Sequence, residues 1–463
     1  MKRVLGFLLV LALLSASLVA VTAYSLTNES DNVTFTVFDE WGDKSYLQGV
    51  TAEMDFTLSE SSWSVSFTPL GETKTEYDYN TFYDRYGKAD PYYGISTPGI
   101  SLLQRKNLNP ELNKVFEELK AEAKNPGDIR RTRIYYRDYF RYYPVDMEIF
   151  LPEMSVTWRE GFGFNNKGEY EFSGITPARG EELIKALNDF FRISVLPDDF
   201  SDITVHAGDG NSFSYGTSGK LSFSFDFMHG MTDDCFYLTF SNEQYNYHEE
   251  ERTLADTSLI PGGYGIYALP FTETEIKYNE LRTVYPVSSD ASAEYLSADK
   301  ERNELYLVLQ ENGKYILHVI DIATMKDTSA VELFPVSGDE YIRVYKYDDF
   351  FVILKNEVEF NVVKRTENEK YESALTGSMP SGNIADRDYF PYNSEFAFDG
   401  ERLVVWVMDL HNDNEAGFLS RQPDVMVFTE DGLQYYCKWL CSLITNGYSW
   451  REVTVKDRKV IIE

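Results

Sequence analysis

The chain has 463 residues, of which 43% are hydrophobic and 15% aromatic, and its formal net charge at pH 7 is -32. This length and apolar content suffice for a packed core and exclude a generally disordered chain. The acidity argues against binding to nucleic acid and against adhesion to anionic lipid, because both need a basic footprint. An acidic surface favours solubility, cations and cationic partners.

The chain starts with a segment that has the layout of a secretory signal. Lys2 and Arg3 precede the uncharged run 4–23, which is rich in Leu, Val and Ala and ends in small residues. Such a run is also long enough to cross about 30 Å of hydrocarbon, so an uncleaved anchor is the alternative to cleavage before Tyr24. In both cases we expect residues 24–463 outside the cytoplasm, with membrane association only through residues 4–23.

The first half of the chain mixes strand and helix patterns. Helices are predicted over 110–124, which ends at Asn-Pro-Gly, and over 177–191, whose apolar residues recur at helical spacing. A strand is predicted over 221–227. We expect insertions at 80–145 and 176–200, which contain the two helices.

The most distinctive stretch, 130–143, places five arginines and five tyrosines in fourteen residues of an acidic protein. Both residue types are enriched in binding hot spots, and Arg can fork onto carboxylates. The alternative is internal packing, with Arg neutralising acidic neighbours. The candidate binding residues of this stretch are Arg133, Tyr135, Tyr136, Arg137, Tyr139, Arg141 and Tyr142.

Two glycine-rich segments follow. The glycines of 261–267 permit a tight loop on which Tyr264 and Tyr267 could be displayed as further binding residues, although a plain connection between strands explains the segment equally well. The Gly-Thr-Ser-Gly-Lys run at 216–220 lacks the earlier glycine of a phosphate loop, since Ser214 stands there. We interpret this run as a hairpin turn.

The second half repeats one pattern: a strand, a turn opening on Asp, and a strongly apolar strand. The turn residues are Asp299, Asp348, Asp399 and Asp457, spaced 49, 51 and 58 residues apart. Asp suits such corners because it bonds its own backbone. A second predicted hairpin separates successive copies, so each unit has four antiparallel strands in about fifty residues, which is the signature of a β-propeller blade.

The last copy, at 453–462, ends after two predicted strands, and half a blade would leave an exposed edge. The N-terminal strands at 34–39 and 45–50 resemble the missing hairpin. We therefore predict that N- and C-terminal strands complete one blade and that 24–463 is a single all-β domain, a propeller of about seven four-stranded blades with two inserted helices. The alternative is an α+β domain over 28–280 followed by a partial propeller.

The unit length and the repeated Asp-turn hairpins resemble bacterial extracytoplasmic β-propeller-like proteins of unassigned function. The resemblance is architectural and covers 290–463 together with the N-terminal strands. The Gly-His and Trp-Asp pairs of WD40 repeats are missing, so that family is not indicated. The resemblance implies a fold and carries over no functional residue.

The sequence contains no recognisable catalytic motif, because both His-Glu-x-x-His and Gly-x-Ser-x-Gly are absent. His318 lies in an apolar strand and is expected to be structural. Cys235, Cys437 and Cys441 lack zinc-ligand spacing and are expected to be buried thiols. No metal site or cofactor is predicted, except that the acidic, glycine-ended stretch 409–417 is a candidate calcium loop or a plain solvated loop.

Together these features predict a non-catalytic binding or sensor module of the bacterial cell envelope, with a protein or glycan as its partner. Two alternatives stay open. A hydrolase of extracellular glycans would need two carboxyls within about 10 Å in one pocket. A structural component of an envelope complex would show a large exposed apolar patch.

Overall fold

The structure is a computed structural model, and it describes residues 35–58, 61–71, 73–79, 94–96, 110–145, 147–160, 170–177, 181–209, 212–246, 251–338, 340–379, 390, 394–407, 424–441 and 453–463. These residues form 29 strands and two α-helices, so the fold is all-β. The chain falls into two compact units, Met1–Gly87 with Glu340–Glu463, and Lys88–Asp339. That 24–463 forms one domain stays a prediction, and the leading segment 1–23 lies outside the described residues.

The strands are short and follow one another closely along the chain. The N-terminal strands are β1 (Phe35–Gly42), β2 (Val50–Leu58), β3 (Ser61–Phe67) and β4 (Thr73–Tyr79). The next are β5 (Gly94–Ser96), β6 (Ile129–Tyr135), β7 (Glu148–Glu160), β8 (Tyr170–Pro177), β9 (Phe200–Ala207), β10 (Phe213–Lys220), β11 (Phe227–Met231), β12 (Cys235–Phe240), β13 (Glu243–Asn246), β14 (Glu251–Leu254), β15 (Gly265–Pro270) and β16 (Arg282–Pro286). The repeat region contains β17 (Ser292–Asp299), β18 (Glu304–Glu311), β19 (Lys314–Asp321), β20 (Lys326–Pro335), β21 (Ile342–Lys346), β22 (Phe350–Lys355), β23 (Glu359–Arg365), β24 (Tyr371–Ser378), β25 (Ser394–Phe398), β26 (Leu403–Val407), β27 (Asp424–Thr429), β28 (Gly432–Cys441) and β29 (Val453–Ile462).

The helices are α1 (Pro110–Glu122) and α2 (Glu181–Phe190). Both predicted helices are therefore confirmed, but the second begins later than expected because Pro177 still belongs to β8. Helix α2 buries its apolar stripe, Leu183 and Leu187, in the core. No helix in the described part of the chain is long and apolar enough to cross a membrane.

The unit that contains both chain ends has three antiparallel sheets. Their strand orders are β29-β2-β3-β4, β21-β22-β23-β24 and β1-β28-β27-β26-β25. Strand β29 pairs with β2, so that Val50 lies opposite Ile462, and β1 pairs with β28. Strands from the two ends of the chain therefore do share sheets.

The details of this sharing differ from the prediction. Residues 453–462 form one strand rather than a hairpin, and residues 44–47 form a 3-10 helix. Strand β1 adds to β28 as a fifth strand. The core explains this register: alternate residues Ala52 and Met54 of β2 are buried together with Trp63, which is the two-residue period of a strand with one face in the core.

The second unit contains two four-stranded sheets, two three-stranded sheets and one hairpin. Their orders are β17-β18-β19-β20, β11-β12-β15-β16, β10-β9-β6, β5-β7-β8 and β13-β14. Two of the four predicted Asp turns show the expected chemistry, whereas Asp457 lies within β29, so the turn predicted there is wrong. Asp299 Oδ1 accepts hydrogen bonds from the backbone N–H groups of Glu301 and Arg302, both at 3.1 Å. Asp399 makes the same pair of bonds in the other unit.

Two predictions for this unit are wrong. Residues 216–220 are not a hairpin turn but the end of β10, paired with β9 along its length. Residues 221–226 are not a strand, and only Phe227 begins β11. The reason lies in Asp199: the backbone N–H of Ser222 donates to its carboxylate at 3.0 Å instead of to a neighbouring strand.

Candidate functional site

The Arg/Tyr stretch begins as β6, which forms a three-stranded sheet with β9 and β10. One face of this sheet is apolar, because Ile134, Ile203 and Val205 pack against helix α1. Side chains alternate along a strand, so the residues between them point to the opposite face. Within the described residues, Arg131, Arg133 and Tyr135 of β6 are exposed on that opposite face.

Strand pairing defines the members of this second face. In register, Arg131 lies opposite Thr204, Arg133 opposite Asp202, and Tyr135 opposite Phe200. Strand β10 extends these rows with small or polar residues. We call the following set the open face: Arg131, Arg133, Tyr135, Phe200, Asp202, Thr204, Gly216, Ser218 and Lys220. Sequence reasoning did not select Arg131 or Lys220, because their place depends on the pairing.

Arg133 is held in position within the open face. Its Nε and Nη2 donate to the two carboxylate oxygens of Asp202, both at 2.8 Å, and its guanidinium carbon lies 3.8 Å from the ring centre of Phe200. These hydrogen bonds hold the pKa of Asp202 below its usual value. Arg131 is exposed and forms no ion pair of its own within the described ranges.

The other candidate residues of the stretch divide into surface and packing residues. Arg137 is exposed, 5.4 Å from the ring centre of Tyr135, and Arg141 is exposed, 5.2 Å from that of Tyr142. Tyr136 and Tyr139 instead pack in the apolar cluster beneath the sheet. The packing interpretation therefore holds for Tyr136 and Tyr139, whereas binding by the exposed residues stays a prediction.

Tyr264 and Tyr267 are not displayed. They are 2% and 0% exposed, and the ring of Tyr267 makes an edge contact with Phe191 at 4.8 Å. The Tyr264 hydroxyl donates to the Phe240 carbonyl at 2.5 Å, and burial raises the pKa of both phenols. Their glycines do form the expected tight turn, but the two tyrosines are core residues.

A polar cavity of about 250 Å³ lies beside the end of β10. Its floor includes the buried residues Ser222 and Phe223, while Ser224 and Asp226 at its rim are exposed. The hairpin β13-β14 supplies the opposite wall. The lining includes Ser222, Phe223, Ser224, Asp226, Ser241, Glu243, Tyr245 and Arg252.

Asp199 holds the floor of this cavity in place. It is fully buried, and its carboxylate accepts hydrogen bonds from the Tyr143 hydroxyl at 2.7 Å and from the Ser222 hydroxyl at 2.6 Å. Gln244 Nε2 donates to the Tyr143 hydroxyl at 3.4 Å. A buried carboxylate needs such donors, and they connect the last tyrosine of the Arg/Tyr stretch to the cavity floor.

Two carboxyl groups near the hairpin differ in their surroundings. Arg252 Nη1 donates to Glu243 Oε2 at 2.8 Å across the hairpin. Glu294, on β17, has its pKa raised to about 8 by burial, with a further contribution from the negative charge of Glu243 that Arg252 opposes. Glu294 is therefore mainly protonated at pH 7, whereas the Glu243 carboxylate forms an ion pair.

A larger surface groove, of about 430 Å³, runs beside helix α2. Phe190 and Leu281 supply apolar walls. Its polar groups bond to each other: the Tyr278 hydroxyl donates to Glu182, and Lys185 pairs with Asp189.

His318 lies in the middle of β19 and is 8% exposed. Its Nε2 is 3.2 Å from a carboxylate oxygen of Glu311, and its Nδ1 is 3.4 Å from one of Asp327. Asp327 in turn accepts a hydrogen bond from the Tyr285 hydroxyl at 2.9 Å. These contacts link neighbouring strands.

Within the described residues, no group of three His, Cys, Asp or Glu side chains is arranged to hold a metal ion. Cys235 and Cys437 are free, buried thiols, and burial raises the pKa of Cys235 to about 11 and that of Cys437 to about 12. They are therefore poor nucleophiles. The side chain of Cys441 and the candidate calcium loop 409–417 lie outside what the structure describes.

No known protein family model matches the chain, and no curated protein matches it. Among solved structures, apo AztD from Citrobacter koseri is similar over 85% of this chain and 98% of its own, at 7% identity and a TM-score of 0.26. A prolyl endopeptidase is similar over 84% of this chain and 55% of its own (10% identity, TM-score 0.22), and Hsv2 from Kluyvelomyces marxianus over 73% and 99% (8%, 0.20). These TM-scores are too low for the likeness to carry an argument.

Proposed function

We propose that the chain is a β-propeller-like module that works outside the cytoplasm and binds a protein or glycan without changing it chemically. The observation that carries this proposal is the open face: Arg131, Arg133 and Tyr135 lie exposed on one sheet face of a protein whose net charge is -32. The five sheets of four or five antiparallel strands support the blade architecture. A count of about seven blades, and export through the leading segment, are parts of the same proposal.

The open face favours a partner that carries carboxylates. Guanidinium groups match planar carboxylates in geometry and charge, and Arg133 already shows this bonding with Asp202. On the far side of β9, the small residues Gly216 and Ser218 of β10 lie opposite Thr204 and Asp202 and add little bulk to the face. A face with fixed aromatic and Arg groups suits an extended acidic segment, either of a protein or of an acidic glycan.

Pull-down from the native cell envelope tests this proposal. With Arg131 and Arg133 changed to Glu, we expect the partner to be lost or its Kd to rise at least about tenfold, because hydrogen bonds to charged groups contribute roughly 1.5–3 kcal/mol each. The control changes Arg282 and Lys326 to Glu, which gives the same charge change at exposed positions of other strands. If the wild type, the test variant and the control recover the same partners in equal amounts, the open face does not bind the partner.

A second candidate function is hydrolysis of extracellular glycans by paired carboxylates. One observation favours it: Asp226 and Glu243 line the same polar cavity. It ranks second because both already have partners, Ser224 for Asp226 and Arg252 for Glu243. Release of nitrophenol from aryl glycosides, lost in the Glu243→Gln variant, would raise it to first place.

A further inference from the structure

The polar cavity combines three kinds of group in a small space. Asp226 and Glu243 provide carboxylate acceptors, and Arg252 provides guanidinium donors. The serine hydroxyls of the lining both donate and accept. Phe223 and the ring of Tyr245 add apolar surface. A ligand that satisfies this lining must itself offer several donors and acceptors around a compact apolar frame.

These groups are fixed before any ligand arrives. Asp226 is oriented by a hydrogen bond from the Ser224 hydroxyl at 3.0 Å, and the Ser222 hydroxyl is fixed by the buried Asp199. The Ser241 hydroxyl lies 3.0 Å from that of Ser292. Preorganised polar groups lose little conformational entropy on binding, which is a property of ligand sites.

Size and charge narrow the class of ligand. About 250 Å³ is below the roughly 300–1,000 Å³ of sites for drug-sized molecules, so the cavity itself has room for about one small ring. The carboxylates of Asp226 and Glu243 disfavour an anion. Arg252 pairs with Glu243, and the remaining carboxylate, Asp226, is exposed at the rim, where solvent screens its attraction for a cation. The polar lining disfavours an apolar molecule.

We propose that the polar cavity binds a single neutral, hydroxyl-rich ring, such as that of a monosaccharide. Neighbouring hydroxyls of such a ring would donate to Asp226 and Glu243 and accept from Arg252, while its C–H face packs against an aromatic ring. The inference goes beyond the proposed function, because it assigns a small neutral ligand to a site outside the open face.

Saturation-transfer NMR on the full chain tests the inference with D-glucose, D-galactose and N-acetyl-D-glucosamine at millimolar concentration. We expect transfer to at least one of these sugars, and a Kd at least about tenfold weaker in Asp226→Asn, which loses a charged acceptor. Asp226 is exposed and its side chain bonds only Ser224 among the described residues, so the variant should fold normally.

The matched control is Asp233→Asn, which removes an exposed carboxylate that pairs with Lys300 away from the cavity lining. It should leave the Kd unchanged. Reversing the charges of Arg131 and Arg133 should also leave it unchanged, so failure of the open face and failure of the cavity can be told apart. Absence of transfer from all three sugars, or an equal Kd in wild type and Asp226→Asn, would overturn the inference.

Discussion

Glu294 shows how one side chain couples the protein to pH. Its folded pKa of about 8 lies above the ordinary value of 4.5, so the folded state binds this proton more tightly than the unfolded chain. The resulting stabilisation is complete below about pH 4.5 and is lost as the pH rises through about 8. Above that pH the folded protein must keep a largely buried carboxylate beside Glu243.

The Glu294→Gln variant isolates this effect, because glutamine stays neutral at every pH. At pH 9 we expect the free energy of unfolding of the variant to exceed that of the wild type by about 4 kcal/mol. At pH 5 the difference should shrink to less than about 1 kcal/mol. Urea unfolding at both pH values measures this, with the exposed Glu273→Gln as a control. A difference that is the same at both pH values would contradict the assignment.

At the scale of elements, β9 and β10 approach each other closely at one glycine. A Cβ added at Gly219 would lie 2.3 Å from the Phe200 carbonyl oxygen, whereas one added at Gly216, in the same strand, would be 3.9 Å from its nearest neighbour, Thr204. Changing either glycine to Ala removes a similar amount of backbone freedom from the unfolded chain. The difference between the two variants in free energy of unfolding therefore measures the steric clash at Gly219.

We therefore expect Gly219→Ala to lower the free energy of unfolding by about 1–3 kcal/mol, and Gly216→Ala to change it by less than about 0.5 kcal/mol. Urea unfolding of both variants gives the comparison. Because β10 leads directly to Ser222 at the cavity floor, the Gly219→Ala variant should also bind a ligand in the cavity more weakly than the wild type does. Equal free energies of unfolding for the two variants would mean that β9 and β10 can move apart at Gly219 without a loss of stability, which would contradict the prediction.

The sequence predicted the elements that depend on local patterns. Strands β17–β28 coincide with the predicted repeat because apolar runs and Asp turns are short-range signals, as the bonds of Asp299 show. The predictions for residues 216–226 are wrong because the pairing with β9 and the bond from Ser222 to Asp199 are long-range. For the same reason composition located the Arg/Tyr stretch, whereas the polar cavity, built from segments brought together by folding, was missed.

At the scale of the whole molecule, the two ends of the chain stabilise each other through one sheet. Val460 of β29 lies opposite Ala52 of β2 and is 5% exposed, while its neighbour Lys459 is exposed. Asparagine is therefore introduced at each of these two adjacent positions in turn. The comparison separates the loss of core packing at 460 from the effect of adding a polar residue to the strand. Asparagine at 460 must be buried without a prepared partner, and asparagine at 459 faces solvent.

We expect Val460→Asn to lower the free energy of unfolding by about 2–4 kcal/mol, and Lys459→Asn to change it by less than about 0.5 kcal/mol. If the ends stabilise each other, the damage should reach the N-terminal strand: amide exchange should speed up in β2 as well as in β29. Hydrogen exchange measured by mass spectrometry on both variants reads this directly. Protection of β2 that survives in the Val460 variant would show that the N-terminal strands are stable without the C-terminal one.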